Sequence, residues 1–160
     1  MMKTLLALTL FPLAWCIPSC SPSGTTTTTP DVTSGVDYRQ SKADVVVLSF
    51  FDMYCPQCQK DAKYVNQIHA ATRQRGLGAK TSFFAIGWNN TPLESEMYRK
   101  RFNVPYPVIA DKDLTISQRF GKIKPPLLIV LKKQGGQWKE AARFHGVRGK
   151  SEDILRRIQP

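Results

Sequence analysis

Apolar residues fall into two kinds of run along this chain. Short unbroken blocks, VVVLSFF (45–51), TSFFAIGW (81–88), YPVIA (106–110) and LLIVL (127–131), have the pattern of strands buried on both faces. Between them the apolar positions recur at helical spacing. In PQCQKDAKYVNQIHAATRQRG (56–76), Cys58, Ala62, Val65, Ile68 and Thr72 line one face, Pro56 suits the first turn, and Gly76 can stop the helix. TPLESEMYRKRF (91–102) offers Thr91 as a cap and Pro92 at the first helical position. DLTISQRFG (113–121) predicts a short helix closed by Gly121, and SEDILRRI (151–158) a last helix capped by Ser151. Gly135 and Gly136 turn the fourth strand into QWKEAARFHG (137–146) as a hairpin. The predicted order is β-α-β-α-β-α-β-β-α. Such alternation implies an α/β fold with a central mixed sheet, a C-terminal antiparallel hairpin and helices on both faces.

One apolar stretch lies outside this scheme. Residues 4–17 follow Lys3 and are too short for a comfortable membrane span, but they match the hydrophobic region of an export signal. The stretch closes on Ile17-Pro18-Ser19-Cys20, which resembles the lipobox of bacterial lipoproteins and makes Cys20 the residue expected to be lipidated. Bulky Trp15 makes Cys16 the poorer cleavage site. Residues 21–35, SPSGTTTTTPDVTSG, cannot build a core and read as a flexible tether. The expected organisation is a signal peptide at 1–19, a tether at 20–35 and one folded domain at 36–160. The expected place is periplasmic or otherwise extracytoplasmic, on a bacterial membrane as a lipoprotein. A cleaved soluble form and an uncleaved anchor are the alternatives.

Charge adds less. Without residues 1–19 the chain carries 22 basic and 12 acidic residues, a net of about +10. The excess gathers in YRKR (98–101), GKIK (121–124), LKK (131–133) and RFHGVRGK (143–150). A solvated face accounts for such runs, and they also suit an anionic membrane surface or acidic partners. No nucleic-acid recognition motif accompanies them, so nucleic acid is not an expected partner.

With Cys16 and Cys20 assigned to the export segment, the folded domain keeps Cys55 and Cys58. No second cysteine pair or nearby histidine completes a zinc site, and no metal or cofactor is expected. The pair stands where a buried strand gives way to a helix. Residues three apart on a helix face the same way, with β-carbons about 5–6 Å apart. A disulfide needs about 4 Å, so a small adjustment of the first turn closes the bond. Cys55 also meets the free amides and positive dipole end of the helix, which favour a thiolate. A bridge closing so short a loop adds little chain-entropy stabilisation, which sets a static disulfide behind exchange chemistry. On this reading Cys55 is the nucleophile and Cys58, turned toward the core, is the resolving thiol.

The stretch FDMYCPQC followed by a long helix resembles the thioredoxin fold, and the wider order with its export signal is similar to the TlpA/ResA-type thiol-disulfide oxidoreductases over about residues 43–158. The resemblance implies a cis-proline at the start of the strand facing the cysteines. Within GKIKPPLLIVLKK that is Pro126, with Pro125 at a position that contacts substrate. Tyr54, Pro56 and Gln57 are the other expected substrate contacts. Tyr54 stands where Trp is common, and Ser49 where thioredoxins keep a buried acid. Asp61 falls where ResA-like proteins often carry Glu; it serves either proton management near Cys58 or the helix end. A hairpin usually precedes the first strand and is hard to find in GVDYRQSKAD. The implied partners are protein thiols and disulfides of exported proteins and a membrane or periplasmic redox partner, with support of cytochrome c maturation as one role. A monomer is expected.

Two rivals share the fold. A Sco-like copper-binding module would use Cys55, Cys58 and His145, although such proteins separate their cysteines by three residues rather than two. A peroxiredoxin would need Pro and Thr or Ser where Leu48 and Asp52 stand. His69 and His145 otherwise read as packing or surface residues.

Overall fold

The computed structural model describes residues 37–159. Its elements are a 3-10 turn at Tyr38–Gln40, β1 (Val45–Phe51), α1 (Pro56–Gln74), β2 (Thr81–Trp88), α2 (Pro92–Arg101), β3 (Val108–Asp111), a second 3-10 turn at Ser117–Phe120, β4 (Leu127–Gln134), β5 (Gln137–His145) and α3 (Ser151–Ile158). The five strands form one sheet in the order β3-β2-β1-β4-β5. β1 runs parallel to β2, and β2 to β3. β4 lies antiparallel to β1 and to β5, so the sheet is mixed and its far edge is the closing hairpin.

The period of two along β1 divides the core. Val45, Val47 and Phe51 meet Cys58, Ala62, Val65 and Ile68 of α1, Tyr98 of α2, and Ile154, Leu155 and Ile158 of α3. Val46, Leu48 and Phe50 pack on the other face with Tyr38, Phe84, Ile86, Ile123 and Ile129. All three α-helices therefore feed the first core. Cover on the second face comes from the two 3-10 turns, with Phe120 set against Tyr38 and Phe50 at centroid distances of 5.9 and 5.7 Å.

Several boundaries differ from expectation for visible reasons. The helix expected over 113–121 shrinks to the turn at Ser117–Phe120. The buried Asp111 carboxylate takes the amides of Ile116 (2.9 Å) and Ser117 (2.8 Å), which offers this segment an alternative to helical bonding. The strand expected at 106–110 begins later, at Val108, although the Pro107 carbonyl already accepts the Ala85 amide. Ser151 is not the cap of α3. That position falls to Lys150, whose side chain makes no capping bond. Among the described residues no hairpin precedes β1; the turn at Tyr38–Gln40 stands there, capped by Asp37. α1 ends as expected, with Gly76 at φ 74° and the Leu77 amide donating to the Thr72 carbonyl.

Candidate active site

β1 delivers the chain to the end of the sheet, and four residues carry it into α1. That short connection is held at each step. The Asp52 carboxylate accepts the Tyr54 amide at 3.0 Å, and the Asp52 carbonyl accepts the Cys55 amide at 3.1 Å. The buried Met53 amide donates to Oδ1 of Asn90 at 2.9 Å, while the Met53 carbonyl accepts Nε2 of Gln59 at 2.8 Å. Cys55 is thereby fixed as the N-cap of α1, in extended conformation, and Pro56 follows without an amide to satisfy.

The two thiols differ in surroundings. Cys55 is half-buried, and its Sγ accepts the Cys58 amide at 3.3 Å, the place of a capping oxygen. Cys58 is 1% exposed and lies in the core. Burial pushes its thiol up, and the hydrogen bond with Cys55 pushes the same way. Behind Cys58 the Tyr98 ring stacks on Phe51 at 3.7 Å between centroids, and its hydroxyl donates to the Cys58 carbonyl at 3.0 Å. This stack fixes the turn of α1 that carries the inner sulfur.

Asp61 occupies a position not apparent from its spacing. It is 2% exposed and lies beyond the first turn, which rules out the simple helix-end role. Oδ1 accepts Nε2 of Gln57 and Oδ2 accepts the Val147 amide, both at 2.9 Å. A small cavity of about 10 Å³ brings Asp61 together with Cys58, Ser49, Tyr98 and Pro126. The peptide bond between Pro125 and Pro126 is cis, and the Pro126 carbonyl accepts the Gly146 amide at 3.0 Å. The two segments that flank the cysteines are thus tied to the loop after β5.

Of the expected substrate contacts, the Tyr54 ring is 70% exposed beside Cys55, but its hydroxyl donates to Oε1 of Glu94 at 2.8 Å. That bond pushes the phenol up; the Thr91 amide and, after it, this bond hold the Glu94 carboxyl down. Gln57 turns its amide back onto Asp61, Pro56 is exposed, and Pro125 is half-buried. Cys20 lies outside the described residues. His69 packs edge-on to Phe83 at 5.1 Å, and burial lowers its pKa. His145 is exposed, and among the described residues no group of three or more His, Cys, Asp or Glu side chains could hold a metal ion. Sequence reasoning missed Asn90, Glu94 and Tyr98. The one available signal was Thr91 followed by Glu94, a capping box that places Glu94 at the start of α2.

A cysteine at a strand-to-helix junction, a second one turn inward and a cis-proline lining the same cavity as the inner thiol, on this sheet, define a thioredoxin-like fold with a reduced dithiol. The chain belongs to the AhpC/TSA family, whose pattern matches residues 25–144. It is 22% identical to the thiol-disulfide oxidoreductase ResA of Bacillus thuringiensis subsp. konkukian over 125 residues, 78% of this chain and 69% of ResA. StoA from Bacillus subtilis superposes with a TM-score of 0.60 at 15% identity, covering 75% of this chain and 86% of StoA. A secreted Mycobacterium tuberculosis disulfide oxidoreductase homologous to E. coli DsbE gives 0.57 at 16% identity, covering 72% and 80%. Leu48, buried in β1, and Asp52, committed to the Tyr54 amide, stand where a peroxidatic cysteine would need Pro and Thr. Among the described residues no helix is long and apolar enough to cross a membrane.

Proposed function

We propose that the protein is an extracytoplasmic thiol-disulfide oxidoreductase, tethered to a membrane through a lipid on Cys20, that exchanges electrons with cysteines of exported proteins. The observation that carries the reading is the unequal pair: Cys55 capping α1 with its sulfur accepting an amide, and Cys58 buried behind it. In the reducing direction the Cys55 thiolate attacks a substrate disulfide. One substrate sulfur leaves as a thiolate and takes up a proton, and a mixed disulfide remains. Cys58 then gives up its proton and attacks Cys55. The second substrate sulfur leaves, and the Cys55–Cys58 disulfide holds the oxidised state. Burial keeps Cys58 a thiol until that step, and Asp61 at the same cavity is the acceptor for its proton. Tyr54, Pro125 and Pro126 flank the path of the substrate. Apocytochrome cysteines, in cytochrome c maturation, are the substrate class we propose within that reading.

Trapping tests the assignment. Cys58→Ser should accumulate mixed disulfides with extracytoplasmic proteins, whereas Cys55→Ser should accumulate few and lose turnover. Trapping by Cys55→Ser, with Cys58→Ser silent, would reverse the roles.

A further inference from the structure

Beside the first turns of α1 runs a groove of about 430 Å³ that the exchange chemistry does not use. The half-buried rings of Tyr64 and Phe102 give it apolar walls. Lys60, Lys63 and Arg148 supply its charge, and no acidic side chain lines it. The Lys63 ammonium rests 4.9 Å from the centre of the Tyr64 ring. Among the described residues none of these three cations forms an ion pair, whereas Arg75, Arg143 and Arg156 elsewhere on the surface each face a carboxylate. The nearest carboxylate along α1, Asp61, is buried and committed to Gln57 and Val147. Three uncompensated cations around apolar walls form a site complementary to a segment that carries acids and a hydrophobic side chain.

The groove has a fixed relation to the nucleophile. Gln59, at its near end, holds the Met53 carbonyl and donates its own amide to the Cys55 carbonyl. Lys60 and Lys63 are five and eight residues beyond Cys55 on one helix. At about 1.5 Å per helical residue they lie roughly 7–12 Å along its axis. An extended polypeptide covers that distance in about two to four residues.

We infer that this groove receives an acidic polypeptide segment of the protein whose cysteine exchanges with Cys55, the acids standing about two to four residues from that cysteine. The inference rests on the oxidoreductase reading and adds a substrate class to it.

The test uses the full reduced chain and two disulfide-linked synthetic peptides. They are identical except for Asp and Glu against Asn and Gln at those positions. A small neutral aliphatic disulfide serves as the reference substrate. In a single turnover of the reduced chain the acidic peptide should be reduced with a second-order rate constant about fivefold higher at 10 mM salt, and most of that advantage should vanish by about 0.5 M. Lys60→Gln with Lys63→Gln and Arg148→Gln should erase the advantage and leave the neutral disulfide unaffected. Equal rates for the two peptides, or a preference that survives the triple substitution, overturn the inference. So does binding of anionic phosphatidylglycerol vesicles that depends on the same three cations when no peptide preference exists, because the groove then serves a lipid surface. Absence of any Cys55-dependent reduction of the neutral disulfide instead defeats the oxidoreductase reading itself.

Discussion

Asn90 acts on the connection that presents Cys55 through the Met53 amide and the Asp52 carboxylate. Its side chain is 2% exposed, and Oδ1 is the acceptor for the Met53 amide at 2.9 Å, two residues before the nucleophile. Asn90→Ala removes that acceptor. The Met53 side chain is buried, so its amide has little water to turn to. A buried donor left unsatisfied costs about 1–3 kcal/mol, and the midpoint of about 2 kcal/mol is a sensible expectation. In a domain of about 120 residues each kcal/mol shifts Tm by about 4 °C, so the reduced variant should melt about 8 °C lower in a circular-dichroism scan. Asn90→Asp separates the hydrogen bond from simple disruption. It keeps the Oδ1 acceptor but places a second carboxylate where Nδ2 now lies 3.5 Å from Asp52 Oδ1. Asn90→Asp should therefore be closer to the parent near pH 4, where carboxylates begin to protonate, than at pH 7. An Asn90→Ala protein melting within 1 °C of the parent refutes the reasoning, and so does an Asn90→Asp protein as damaged as Asn90→Ala at both pH values.

Burial pushes the Cys58 thiol up, so the folded reduced protein keeps a proton that the unfolded chain releases above about pH 8.5. The unfolded state then binds fewer protons, and stability falls as pH rises, by up to about 1.4 kcal/mol per unit. Tyr98 and Tyr106, also pushed up by burial, contribute only from about pH 10. Between about 8.5 and 10, urea midpoints of the reduced parent should fall more steeply than those of Cys58→Ser; parallel slopes contradict this. At Gly87 an added β-carbon would lie 2.5 Å from Ser95 Oγ and 3.1 Å from Asn90 Cβ. Gly87→Ala should lower stability by about 1–3 kcal/mol, read as a lower urea midpoint at unchanged m-value. If Cys20 carries a lipid, Cys20→Ala should appear in the soluble fraction or remain unprocessed, without labelled fatty acid; equal labelling of the variant argues against the anchor.

What the sequence made legible follows from how local each signal is. β1, β2 and β4 announce themselves because strands covered on both faces need unbroken apolar runs. The thiol pair is legible for the same reason: its junction and its spacing lie within one short segment. Asn90 and Tyr98 are not, since each acts on a residue 37 or 40 positions away, through contacts that only the sheet creates. Asp61 shows the intermediate case. Its proximity to Cys58 is a matter of helical spacing, but its second partner is the backbone of Val147, 86 residues on. The helix expected over 113–121 failed because Asp111, outside the apolar pattern, draws the amides of Ile116 and Ser117 to itself.

The strand that leads to the cysteines lies in the middle of the sheet, between β2 and β4. Both thiols are encoded early, while β4, Pro126 and the Val147 amide that grips Asp61 come late. A chain synthesised from its N-terminus therefore presents Cys55 and Cys58 well before the pieces that surround them. Until residues 127–147 arrive, β1 has one open edge and the inner sulfur has no closed core around it. Competence for exchange is then a property of the finished chain, which delays redox activity until synthesis is nearly complete.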